Sequence, residues 1–74
     1  MAKSNTHKGD MVRWNPAIGD LQEWITWSGG NTFEVIEADD QYLLLPFSSG
    51  VIRLYHAYFV KDEFLTQVRK VRNG

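Results

Sequence analysis

The chain reads as a series of short alternating runs separated by polar and glycine turns. Gly9-Asp10-Met11-Val12-Arg13-Trp14 opens the series, and Thr32 to Ala38, Tyr42 to Phe47, Val51 to Ala57 and Thr66 to Val71 continue it. The breaks fall at Ser28-Gly29-Gly30-Asn31, Asp39-Asp40-Gln41, Ser48-Ser49-Gly50 and Lys61-Asp62-Glu63. Runs of this length and spacing predict an all-β fold, a small five-stranded barrel. Strand side chains alternate between faces, so Val12 and Trp14 share one face of the first run, and Met11 and Arg13 the other. By the same rule Phe33 and Val35 point inward, with Leu43, Leu45 and Phe47, then Ile52 and Leu54. Arg53 and Tyr55 point outward. The nearly unbroken apolar run at 42–47 predicts burial on both faces, with Pro46 marking a bulge or an edge.

Two stretches carry competing patterns. Asn15 to Asn31 is long for a connection in so small a domain, and long loops are often functional. Within it Asp20-Leu21-Gln22-Glu23 resembles a helix start, with Asp20 as cap and Glu23 reaching back. Leu21, Trp24, Ile25 and Ser28 then fall at helical spacing. Leu21, Glu23, Ile25 and Trp27 also alternate, however, and Ile25-Thr26-Trp27 is strand chemistry. The expectation is an irregular two-armed loop whose second arm, Trp24 to Trp27, is extended. Near the C-terminus Ala57, Val60, Phe64, Val68 and Val71 recur at helical spacing, with acids early and bases late. The β-branched and aromatic residues among Tyr58, Phe59, Val60, Phe64 and Thr66 favour instead a short helical turn at Asp62 to Leu65 and a closing strand, Thr66 to Val71. A single C-terminal helix is the alternative.

Seventy-four residues make one domain, expected over residues 8–72 after a polar tail at 1–7. A chain of this size buries only about 60% of its unfolded surface, so ten aromatic residues are more than it can fully enclose. There is no cysteine, hence no disulfide and no thiolate metal site, which fits a cytoplasmic protein. No apolar run approaches the roughly 18 residues of a membrane span, and the polar start lacks the apolar core of a secretion signal.

The net charge of −1 hides an uneven distribution. Asp20, Glu23, Glu34, Glu37, Asp39 and Asp40 all lie in residues 14–52, which hold no Lys or Arg, while both ends are basic. Either the ends pair in the fold and mix the charges, or two opposed faces exist and one meets a charged partner.

The opening Lys8-Gly9-Asp10-Met11-Val12-Arg13 resembles the first strand of SH3-like small β-barrels. It is similar to the start of KOW and Tudor-type domains and of small photosynthetic accessory subunits. The resemblance covers about residues 8–71, with a long loop after strand one and a short helical turn before the last strand. The glycine-centred turn that a KOW motif places between its first two strands is missing. What the resemblance implies is a module that binds peptides, nucleic acids or neighbouring subunits.

Catalytic constellations are sparse. Neither a Gly-x-Ser-x-Gly elbow nor a phosphate loop occurs. His56 ends a strand and reads as a packed or hydrogen-bonded side chain. Glu37, Asp39 and Asp40 could offer oxygens to a divalent cation, but the spacing is not that of a calcium loop and reads as a solvated turn. The expectation is a non-enzyme with no metal and no cofactor.

The aromatics say more. Trp14, Phe33, Phe47 and Phe64 are core candidates. Trp24 and Trp27 either lid one end of the barrel or form a binding surface with Asp20 and Glu23 at its rim, suited to a basic, Pro-rich or methylated-lysine partner. Tyr42, Tyr55 and Tyr58 form a further candidate surface on the outer sheet face. Contact with another protein is the expected function. The alternative is a nucleic-acid-binding barrel using Arg69, Lys70 and Arg72, the one basic cluster.

Overall fold

The computed structural model describes residues 6–73, with side chains for residues 6–68. Among these residues six strands form two antiparallel sheets of three. The first sheet has the order β2 (Thr32–Glu34), β1 (Met11–Trp14), β6 (Phe59–Lys61), and the second β3 (Glu37–Ala38), β4 (Tyr42–Phe47), β5 (Gly50–Tyr55). The chain crosses between sheets at Val35 and Ile36: the Val35 N–H bonds Asp10 O beside β1, and the Ile36 N–H bonds Leu44 O on β4. This bend splits the single strand expected at Thr32–Ala38.

One core lies between the sheets. Val12, Trp14, Phe33 and Phe59 come from the first sheet, Leu43, Leu45 and Phe47 from the second, and Val35 from the crossing. Trp14 is its centre, stacked on Phe59 at 4.5 Å and in ring contact with Phe33 and Phe47. Ile52 and Leu54 are half-buried and pack against this cluster, so the inward positions of four of the expected strands are as alternation requires.

The two ambiguous stretches are both helical. Helix α1 (Leu21–Ser28) replaces the extended arm expected at Trp24 to Trp27, after a 3-10 turn at Pro16–Ile18. Its inward side is Leu21, Trp24 and Ile25, which pack against the core, and Ser28, which is buried. It ends where Gly29 turns left-handed (φ 87°), with the N–H groups of Gly29 and Gly30 both bonded to Ile25 O. Asp20 precedes it in a left-handed conformation, φ 48°, rather than the extended one from which a capping side chain reaches in, and its carboxylate makes no capping bond. The expected capping box is therefore not formed.

Helix α2 (Glu63–Asn73) replaces the closing strand expected at Thr66–Val71, and β6 closes the first sheet instead. A local capping bond and a long-range hydrogen bond outweigh the β-propensity of this segment. Asp62 Oδ1 accepts from the Leu65 N–H, and buried Thr66 accepts the Met11 N–H at 3.0 Å, tying α2 to β1. With Thr66 inward, Phe64 lies two helical positions away, on the opposite side, at 75% exposure. Phe64 thus leaves the core, Leu65 is half-buried, and Phe59 takes the expected aromatic place.

The fold is accordingly not all-β and not a closed five-stranded barrel. It is mostly strand, in two small sheets, with a helix after β1 and another after β6. No helix among the described residues is long and apolar enough to cross a membrane. The expected tail at 1–7 lies largely outside the described residues, as do the side chains of Arg69, Lys70 and Arg72.

Candidate functional site, an aromatic ribbon

Strand register sets the site. The two-residue turn Ser48-Ser49 pairs Phe47 with Gly50, and counting back pairs Leu44 with Arg53 and Tyr42 with Tyr55. These four side chains share the face of the second sheet turned away from the core. Tyr42 and Tyr55 stack at 4.7 Å with 26° between planes, and their hydroxyls lie 3.4 Å apart. The contact raises the Tyr42 phenol above its ordinary range, chiefly through the hydrogen bond to Tyr55. Arg53, diagonal to Tyr42, holds its guanidinium carbon 5.8 Å from the Tyr42 ring centroid.

From Tyr55 the chain enters a 3-10 turn, His56–Tyr58, which sets Tyr58 beside Tyr55 at 6.3 Å. Tyr58 in turn lies 6.0 Å from Trp24 on α1. Trp24 and Trp27, one helical turn apart, meet edge to face at 5.8 Å. The result is a continuous ribbon of rings, Trp27, Trp24, Tyr58, Tyr55 and Tyr42, drawn from α1, the 3-10 turn, β5 and β4. Trp27 is 48% exposed and Tyr55 51%, while Trp24, Tyr58 and Tyr42 are half-buried.

The two tryptophans divide between core and solvent. Trp24 leans on Trp14 at 5.3 Å and packs against the core, whereas half of Trp27 faces solvent beyond its edge-to-face contact with Phe47 at 5.2 Å. The tryptophan and tyrosine candidate surfaces are thus contiguous, joined at Trp24 and Tyr58. Arg53 is the residue the sequence reading left out of the site. Its outward position was legible, and counting register from the Ser48-Ser49 turn would have set it beside Tyr42.

Carboxylates stand at both ends of the ribbon. Asp20 and Glu23 are exposed at the α1 end. At the other end Glu37, Ala38, Asp39, Tyr42, Leu44 and Arg53 line an open depression of about 270 Å³, and Asp40 borders the adjoining hollow. The Asp39 carboxylate is held below its ordinary range first by the Gln41 N–H, then by the Tyr42 N–H, with a smaller contribution from Arg53. Its Oδ1 accepts those two N–H groups at 2.9 and 2.8 Å. Glu37 faces Lys8 at 3.6 Å. Among the described residues no three His, Asp or Glu side chains converge as ligands for an ion. His56 sits under this end as a structural tie, its Nε2 2.7 Å from Asp39 O.

Comparison with known proteins adds no relative to this geometry: no family model, no characterised protein and no solved structure matches the chain.

Proposed function

We propose that the protein is a cytoplasmic, non-catalytic binding module that acts through contact with another protein, as an adaptor, an accessory subunit or a small inhibitor of a larger complex. We further propose that its two sheets are the halves of an SH3-like barrel. The strand orders β2-β1-β6 and β3-β4-β5, the chain crossing between them at Val35-Ile36, and the 3-10 turn before β6 support that reading. The observation that carries the functional reading is the ribbon. Five linked aromatic rings, two of them about half exposed, offer large rigid contact area with polar edges, the composition of interface hot spots.

A nucleic-acid-binding barrel is the second reading. The basic end of α2, where Arg69, Lys70 and Arg72 fall, favours it. The carboxylates at both ends of the ribbon oppose it, because a phosphate backbone needs cations along its path.

The test is capture of crosslinked proteins from a native lysate with the full chain and three variants. Trp27→Ala and Tyr55→Ala are expected to stay folded and lose the captured proteins, while Phe64→Ala keeps them, since Phe64 is exposed but outside the ribbon. Loss with Phe64→Ala and retention with both ribbon variants would move the surface to α2. Salt-steep binding of generic oligonucleotides, abolished by replacing Arg69, Lys70 and Arg72 with alanine, would favour the second reading.

A further inference from the structure

We propose that the ribbon receives an extended, cationic segment of its partner, and that an arginine of that segment takes the place over Tyr42 that Arg53 fills in the free protein. The inference rests on the ribbon being the contact surface.

Three observations point to this occupant. The first is Arg53 itself. Its guanidinium lies within cation–π range of Tyr42, yet no described carboxylate is within ion-pair distance of it. The ring face rather than a salt bridge is what the cation rests on, and the chain's own arginine demonstrates that this face accepts a guanidinium. Arg53 is exposed at the edge of the second sheet, so its long side chain can swing away without disturbing the core.

The second is charge. Asp20 and Glu23 flank the tryptophan end, and Asp39 and Asp40 flank the tyrosine end. Besides Arg53, the cation at the tyrosine end is Lys8, 3.6 Å from Glu37, while Asp20, Glu23, Asp39 and Asp40 form no ion pair among the described residues. A cationic segment would meet opposite charge at each end, and an anionic one would meet repulsion.

The third is length. Successive ring centroids are 4.7 to 6.3 Å apart over four steps, so the ribbon spans at most about 23 Å, the reach of about six to seven extended residues. Rings at this spacing give an extended chain repeated faces to lie on.

The probe is an acetylated, amidated six-residue peptide of alternating glycine and arginine, titrated into the full chain and followed by amide and indole N–H shifts. Matching peptides carry serine or glutamate in place of arginine. The arginine peptide is expected to move the Trp24, Trp27, Tyr42, Tyr55 and Tyr58 signals at the lowest concentration and the glutamate peptide at the highest. Arg53→Gln is expected to bind the arginine peptide about two- to fivefold more tightly, because the ring is vacated. Arg53→Lys, which keeps the charge but loses the planar group, is expected to tighten it as well. Asp39→Asn, which retains an oxygen for the turn, is expected to weaken it.

Serine or glutamate peptides that bind the ribbon as well as the arginine peptide would overturn the cationic occupant and leave the ribbon reading standing. A gain confined to Arg53→Gln would show simple charge repulsion and overturn displacement from the ring. No ribbon shift with any peptide would overturn the inference, and the capture experiment with Trp27→Ala and Tyr55→Ala would then decide the ribbon reading separately.

Discussion

The indole N–H of Trp14 donates to Ser28 Oγ at 2.9 Å, and both residues are 1% exposed. The bond joins the centre of the core to the last turn of α1. The Ser28 hydroxyl in turn donates a hydrogen bond to the carbonyl of Trp24 or Gly30, each 2.8 Å away. The Ser28 carbonyl accepts the Ser48 N–H at 3.0 Å, so the helix end is held to the β4–β5 turn as well. Ser28→Ala leaves a buried indole N–H without a partner, which costs about 1–3 kcal/mol. Urea denaturation of wild type and variant measures it. An unchanged midpoint would show that the contact contributes nothing net.

Gly29, next in the chain, is constrained twice. Its φ of +87° is left-handed, and a Cβ there would lie 2.6 Å from Ser48 Cβ. Gly19 has a similar φ of +78° with nothing within 4 Å of a Cβ. Gly29→Ala therefore adds a collision to the strain common to both. It is expected to cost more than about 1 kcal/mol, and more than Gly19→Ala. Thermal melts of the pair check the ranking, and equal losses would mean that Ser48 yields at no cost.

The strand core was legible in the sequence because its cause is local. Pleating alternates side chains whatever the rest of the chain does, so Val12, Trp14, Phe33, Val35, Leu43 and Leu45 could be named inward from spacing alone. The helices were less legible because their causes are distant. Ile25-Thr26-Trp27 has strand propensity, and what overrides it is Ser28 meeting Trp14 across 14 positions. In α2 the deciding contact is Thr66 with Met11, separated by 55 positions, and it also turns Phe64 outward. The site divides the same way. The outward facing of Arg53 and Tyr55 followed from alternation. The junction of Trp24 with Tyr58 depends on how α1 and the 3-10 turn pack, which no periodicity encodes.

Asp39 is expected to make stability depend on acid. Its carboxylate is held below 3.8 in the fold, first by the Gln41 N–H and then by the Tyr42 N–H. A carboxyl whose folded value is depressed contributes stability above its unfolded value and loses it as pH falls through the folded one. The advantage of wild type over Asp39→Ala is therefore expected to be full at neutral pH and to shrink below about 3.8. Denaturation midpoints at neutral pH and at pH near 3 test this. A gap that stays constant across the range would mean that the turn does not discriminate between the ionised and neutral carboxyl.

Trp24 and Trp27 lie one turn apart on α1 and should separate stability from binding. Trp24 is half-buried, leans on Trp14 at 5.3 Å and packs against the core. Trp24→Ala opens a gap beside the central indole and is expected to cost about 3 kcal/mol, the low end for a large aromatic because part of the ring is already in water. Trp27 is 48% exposed, and its interior contacts are an edge-to-face meeting with Phe47 at 5.2 Å and the Trp14 ring at 6.4 Å. Trp27→Ala is expected to cost well under half as much in stability. If the ribbon is the contact surface, it should cost about 2 kcal/mol or more in partner affinity, as an anchoring aromatic does. Both quantities can be read on the same samples, by denaturation and by titration with the captured partner. Equal destabilisation by the two variants, with undiminished affinity in Trp27→Ala, would make the whole helix a cover for the core. The contact surface would then retreat to Tyr42, Tyr55 and Tyr58.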